Sequence, residues 1–262
     1  MKKRTDRNPK IWNTRIVRRW TARAHRILWM KATTVAANGY PLTRLGFVNC
    51  YLVREADGLS LIDTGLPGSA DDILAAAREL GAPIRRILLT HAHMDHVGSV
   101  DASVEKLGSA NLELVTNARS VPLLQKPPNT SLEPNEPQGK IKGGVPGIKS
   151  QPTLLLAEGG LIGSLRAIET PGHIPGHLSF LDERDGTLYA GDALIGMGGL
   201  SISGFAPWFF PLPNLATWNK ATALASAKKL LAYPIERFAS GHGAVQPGGR
   251  SALAATITKA TS

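Results

Sequence analysis

The sequence predicts an α/β fold, and three observations carry that prediction. Short apolar runs recur along the chain, helical stretches stopped by glycine lie between them, and clusters of His, Asp and Gly sit where several of the runs end. With 262 residues, 43% of them hydrophobic, the chain can bury one sizeable core. The polar clusters spread over most of its length, so one large domain accounts for them better than two small ones.

Taken in order, strands are expected at residues 48–53, 59–63, 86–90 and 112–116. Helices are expected at 70–80 and 94–107, with Gly81 and Gly108 as their stops. The second half predicts strands at 153–156, 165–169, 178–181, 188–190 and 237–239, and a helix near 214–231. Asp57-Gly58 and Asp185-Gly186 each stand between strand-like runs and read as hairpin turns. Two irregular stretches interrupt this order. Residues 121–152 are rich in Pro and Gly, a length that in a compact domain marks a functional or disordered loop. Residues 194–213 carry Phe205, Trp208, Phe209 and Phe210, which are expected to form an apolar wall for a substrate.

Charge divides the chain unevenly. Residues 1–31 hold eleven Lys and Arg against Asp6 alone, which accounts for the whole net charge of +10; residues 32–262 are neutral, with nineteen basic and nineteen acidic side chains. The high isoelectric point therefore describes an extension, and a nucleic-acid partner is not expected. Trp12, Ile16, Trp20 and Ala24 recur at helical spacing among those charges, so residues 1–31 are read as a basic amphipathic extension suited to an anionic membrane surface, with packing on the domain as the alternative. The domain proper is taken as 32–262. No apolar run is long enough to span a bilayer and no secretory signal is apparent, so the expected location is cytoplasmic, with membrane association through the extension as a variant. Cys50 stands alone in an apolar strand and reads as a small core residue.

The chemistry concentrates at His91-Ala92-His93-Met94-Asp95-His96, on a strand-to-helix loop. His and Asp are costly to bury unpaired, so four of them within six positions point to metal ligation. His91 and His93 can face one side and Asp95 and His96 another, enough to serve two neighbouring cations. Further along, His173 lies in Pro171-Gly172-His173-Ile174-Pro175-Gly176-His177, Asp192 in Ala190-Gly191-Asp192, and His242 in Ser240-Gly241-His242-Gly243, each at a strand end beside glycine.

This series, HxHxDH followed by a distal His, an Asp and a last His, resembles the metallo-β-lactamase-fold hydrolases over residues 47–242. The resemblance implies a four-layered αββα sandwich. It also implies that His91, His93 and His173 hold one metal, that Asp95, His96 and His242 hold the other, and that Asp192 bridges both. Imidazole-rich N/O ligation suits two divalent ions, zinc first, with iron, manganese or cobalt as alternatives. By the same resemblance Asp63 orients the ligands, His177 is not itself a ligand, and a metal-bridging hydroxide attacks the substrate, with Asp95 and Asp192 as the catalytic carboxylates.

Among subfamilies, the bridging Asp192 argues against β-lactam hydrolysis, and the short stretch after His242 against the glutathione-binding region of glyoxalase II. The N-acyl-homoserine-lactone lactonases come nearest. Many of them carry a Tyr shortly after the bridging Asp, at the place of Leu194 and Ile195. The expected substrate is a small carboxylic ester or lactone with an apolar acyl group; phosphodiesters and thioesters are the alternatives.

Overall fold

The computed structural model describes residues 38–262; the extension at 1–31 lies outside the described residues. Strand β1 (Gly39–Arg44) and strand β2 (Val48–Glu55) pair antiparallel, and β2 turns through Asp57 into β3 (Gly58–Ile62). From there the chain alternates strand and helix. Helix α1 (Ala70–Glu79) leads to β4 (Ile84–Leu88), α2 (Met94–Val97) and α3 (Val100–Leu107) lead to β5 (Glu113–Thr116), and α4 (Val121–Leu124) lies before β6 (Leu154–Leu155). Strands β3 to β6 run parallel, which completes a six-stranded sheet in sequential order.

The second sheet is mostly antiparallel. Strands β7 (Leu161–Ile162), β8 (Leu165–Glu169), β9 (Leu178–Asp182) and β10 (Thr187–Gly191) form a meander; β13 (Arg237–Ser240) then joins β10 in parallel and β14 (Gln246–Pro247) closes the edge. Between β10 and β13 lie a small ribbon of β11 (Leu194–Ile195) and β12 (Ser201–Ile202) and the helices α5 (Leu212–Ala216) and α6 (Lys220–Leu230). Helix α7 (Gly249–Thr261) follows β14.

Side-chain alternation builds the layers, since successive residues of a strand point to opposite faces. On the first sheet Cys50, Leu52, Leu59, Leu61 and Ile87 pack with Ile73 of α1 and Val100 of α3. Their neighbours Tyr51, Val53, Ile62 and Leu88 face inward and meet Leu178, Phe180, Tyr189 and Ala239 of the second sheet. On that sheet's outer face Leu181, Leu188 and Phe238 pack against Ala227 and Leu230 of α6 and Leu253 of α7. Helices, sheet, sheet, helices: this is the four-layered αββα sandwich.

Two expected helices are each broken. The 94–107 stretch splits because Gly98 sits against Pro67, where an added Cβ would stand 2.5 Å from the proline nitrogen. The Ser99 hydroxyl also turns back to donate to the Leu66 carbonyl. Near 217–219 the chain leaves the helix to donate Trp218 N–H to the carbonyl of His173, and Asn219 then caps α6 by accepting from Thr222 N–H. Strand β1 and helix α7 were not expected. The first mixes Gly, Pro and polar residues and is half-buried at four of its six positions, and the second is Ala/Thr-rich with little amphipathic contrast.

Candidate metal centre

The strand ends β3, β4, β8, β10 and β13 converge on one edge of the sandwich, and each is followed within a few positions by a residue of the site. Asp63 follows β3, the His91-to-His96 hexapeptide follows β4, His173 follows β8, Asp192 follows β10 and His242 follows β13. All five histidines and Asp192 are buried; Asp95 is partly exposed.

Two sets of side chains emerge. In the first, His93 Nδ1 lies 3.1 Å from His91 Nε2 and 2.9 Å from His173 Nε2. In the second, His242 Nε2 lies 3.2 Å from Asp95 Oδ2, and His96 completes the group. Asp192 stands between them: its Oδ2 is 3.5 Å from His173 Nε2 and 3.1 Å from His242 Nε2, and its Oδ1 is 3.3 Å from His96 Nε2. The structure thus brings together all seven residues that the sequence singled out as ligands, and His91 also lies within reach of His96 and Asp192.

The outer hydrogen bonds fix which nitrogen of each ring carries the proton. His96 Nδ1 donates to Asp63 Oδ2 at 2.7 Å, His93 Nε2 to the Lys142 carbonyl at 2.8 Å, and His242 Nδ1 to the Phe47 carbonyl at 3.2 Å. Thr90 Oγ1 donates to Asp63 Oδ2, so it accepts from His91 Nδ1 at 3.0 Å. Thr217 Oγ1 donates to the Pro213 carbonyl, so Ser203 Oγ donates to Thr217 and accepts from His173 Nδ1 at 2.7 Å. Every ring therefore spends one N–H outward and turns its second nitrogen to the centre. Those of His91, His93 and His173 meet there with no proton donor among them.

Electrostatics divide the two sets. Burial, reinforced by the neighbouring imidazoles, pushes the His91 and His173 imidazoliums well down, and burial lowers His93. Burial also opposes charge at His96 and His242, but the carboxylates outweigh it. Asp192, Asp63 and Asp95 lift His96 well up, and Asp192 with Asp95 lifts His242 to about 9. Against its own burial, Asp95 is held down at about 2 by His96 and His242. His96 Nε2 and Asp192 Oδ1 are buried without a hydrogen-bond partner. Such orphans are expensive, and cations between them would answer both. Nitrogen and oxygen donors at this spacing fit two divalent metals.

Sequence reasoning missed the outer supports. The carbonyls of Phe47 and Lys142 and the hydroxyls of Thr90, Ser203 and Thr217 carry no motif; only the fold brings them to the rings. His177 is completely buried and lies outside both ligand sets.

Apolar side chains wall a cavity of about 290 Å³ over the centre, among them Leu45, Phe47, Leu66, Met94, Leu212 and Ala216. The expected aromatic wall does not form. The β11–β12 ribbon carries the chain away from Asp192, so Trp208 is 88% exposed and Phe205 packs on the second sheet's outer core. Of the four rings only Phe210 approaches the site, 5.6 Å from both Phe47 and His242, behind the cavity wall. Leu194 and Ile195, where a tyrosine was sought, are fully buried in the ribbon.

The family model of the metallo-beta-lactamase superfamily matches residues 43–242, which spans every one of these ligands. The chain belongs to the metallo-β-lactamase superfamily. Its members are metal-dependent hydrolases, and this chain carries the buried His/Asp cluster that such chemistry needs. Uncharacterized protein YobT of Bacillus subtilis is 50% identical over 197 residues, covering 75% of this chain and 83% of that protein. A hydroxyacylglutathione hydrolase of Xanthomonas axonopodis pv. citri is 31% identical over 162 residues, covering 59% of this chain and 50% of that enzyme. Among solved structures, BJP-1, a subclass B3 metallo-β-lactamase of Bradyrhizobium japonicum, superposes with a TM-score of 0.61 at 23% identity, covering 88% and 91% of the two chains. That likeness shows the superfamily fold. No helix among the described residues is long and apolar enough to cross a membrane.

Proposed function

We propose that the protein hydrolyses a carboxylic ester or lactone bearing an apolar acyl group, using two divalent metals, zinc first, held by His91, His93 and His173 on one side, by Asp95, His96 and His242 on the other, and by Asp192 between them. The observation that carries this reading is the pairing of five inward imidazole nitrogens with an apolar cavity directly above them. Two bound cations would supply Lewis-acid polarisation of a carbonyl and a water acidic enough to ionise near neutral pH.

The chain's own residues do the rest. Asp192, whose two oxygens approach imidazoles of both sets, fixes the spacing of the pair. Asp95 faces the cavity and, held near 2, stays ionised and serves as a ligand rather than a proton donor at neutral pH. Leu45, Phe47, Leu66 and Leu212 hold hydrocarbon and exclude water. Among the described residues no tyrosine, lysine or arginine side chain lines the cavity, so recognition by these residues is by shape and apolarity.

Similarity to the hydroxyacylglutathione hydrolase favours a second reading, a thioester at the same site. A panel of aryl esters, lactones, thioesters and bis-aryl phosphodiesters, assayed with metal-loaded and chelator-stripped protein, separates them. Metal-dependent turnover of acyl esters or lactones above the other classes supports the proposal; turnover confined to thioesters or phosphodiesters overturns it.

A further inference from the structure

Among the described residues eight large apolar side chains stand exposed, and four of them, Trp208, Phe209, Leu212 and Leu215, fall on one eight-residue segment that reaches the cavity at Leu212. Leu45, Met94 and Leu212 line the cavity itself, while Trp208, Phe209 and Leu215 continue outward on the segment that carries Leu212. Scattered exposed hydrophobics are ordinary, whereas a contiguous group marks an interaction surface. Trp208 at 88% and Leu215 at 68% exposure make little use of their apolar surface within the fold.

Charge in the segments beside the cavity is uneven. Residues 40–48, 137–157 and 193–220, which contribute Leu45, Phe47, Gly143, Gly144, Leu212 and Ala216 to the lining, hold no Asp or Glu but carry Arg44, Lys140, Lys142, Lys149 and Lys220, and the flanking Glu136 and Glu158 are paired with Arg119 and Lys229. Residues 32–262 as a whole are balanced, so the imbalance is local. Lys140, Lys142 and Lys220 are exposed; the lysines engaged in ion pairs among the described residues are Lys106 and Lys229, which lie elsewhere. Lys220 sits 5.6 Å over the ring of Phe205. The carboxylates lining the cavity are Asp95 and Asp192, both turned to the metal centre.

We propose that this rim docks on an anionic lipid surface, with Trp208, Phe209, Leu212 and Leu215 entering the headgroup boundary and Lys140, Lys142 and Lys220 meeting the lipid charge. An exposed indole beside aliphatic side chains, ringed by cations, is the composition that partitions to such an interface. Aliphatic Leu212 and Leu215 distinguish it from a single-stranded nucleic-acid surface, which relies on aromatic stacking. One consequence rests on the ester reading: an apolar cavity opening onto lipid would take its substrate from the bilayer. The docking itself does not depend on that reading.

The test is co-sedimentation of the full-length, metal-loaded chain with phosphatidylglycerol and with phosphatidylcholine vesicles. Salt-sensitive binding to phosphatidylglycerol is expected. The double substitution Trp208→Ser with Leu215→Ser should weaken it by about tenfold or more, and Lys140→Glu with Lys220→Glu should weaken it on phosphatidylglycerol alone. Metal content and turnover of a short soluble substrate should stay unchanged in both variants, which shows that their fold is intact. Absence of vesicle binding, or binding that both variants retain in full, overturns the proposal. So does a shift from dimer to monomer in the Trp208→Ser, Leu215→Ser variant by light scattering, which would assign the rim to self-association. Tighter binding to single-stranded DNA than to vesicles overturns it as well.

Discussion

His177 Nε2 accepts the backbone N–H of Asp192 at 3.0 Å, while its Nδ1 donates to Thr170 Oγ1 at 2.9 Å. Its ring stacks on His91 at 4.9 Å, and burial holds it neutral, with its imidazolium pushed down to about 3. The second histidine of the Gly172-to-His177 segment therefore touches two ligand loops without being a ligand.

His177→Leu removes the acceptor and strands a buried N–H, at a cost of about 1–3 kcal/mol. Metal affinity or turnover should fall by about 10–100-fold. In His177→Gln the amide oxygen reaches the place of Nε2 and should recover much of the loss. Thermal unfolding and metal titration of both variants check this; equal loss in the two would reduce His177 to packing.

Asp63 accepts from Thr90 N–H, Thr90 Oγ1 and His96 Nδ1, and does so from a left-handed backbone with φ of 58°. Asn tolerates that backbone but sets an N–H₂ against one of these donors. Asp63→Asn should keep the fold and weaken metal binding by about 10–100-fold. A metal titration that matches the parent would remove Asp63 from the account.

Gly143 has φ of 81°, and a Cβ there would stand 2.5 Å from His93 Nε2. Gly143→Ala should push back the loop that offers the Lys142 carbonyl, cost more than about 1 kcal/mol and lower occupancy of the His91/His93/His173 set. Calorimetry with metal analysis reads both effects; parent-like values would show that the loop yields freely.

Each methylene that enters the cavity gains about 0.8 kcal/mol, roughly fourfold in binding. Catalytic efficiency over soluble esters or lactones of increasing acyl length should rise and then level off. Ala216→Phe, which fills the cavity, should move the plateau to shorter chains. A flat series in the parent protein would contradict an acyl pocket.

How much was legible in the sequence follows from what each feature depends on. The ligands announce themselves because His and Asp have no other reason to crowd a glycine-flanked strand end. Most strands of both sheets were readable because each is a short apolar run bounded by turns, whereas β1, β7 and β14 were not. Helix breaks at Gly98 and Thr217 were not readable: each is set by a distant partner, Pro67 in one case and the His173 carbonyl in the other. The aromatic segment misled for a similar reason. Proximity to Asp192 in sequence suggested a wall, but the β11–β12 ribbon diverts the chain, and the wall comes instead from Leu45, Phe47 and Leu66, far away in sequence.

The central claim is that two cations share Asp192. Elemental analysis of the metal-loaded, folded chain measures this most directly. Two divalent metals per chain are predicted, falling below two in Asp192→Ala without loss of secondary structure. One metal or none on the intact parent fold would contradict the account.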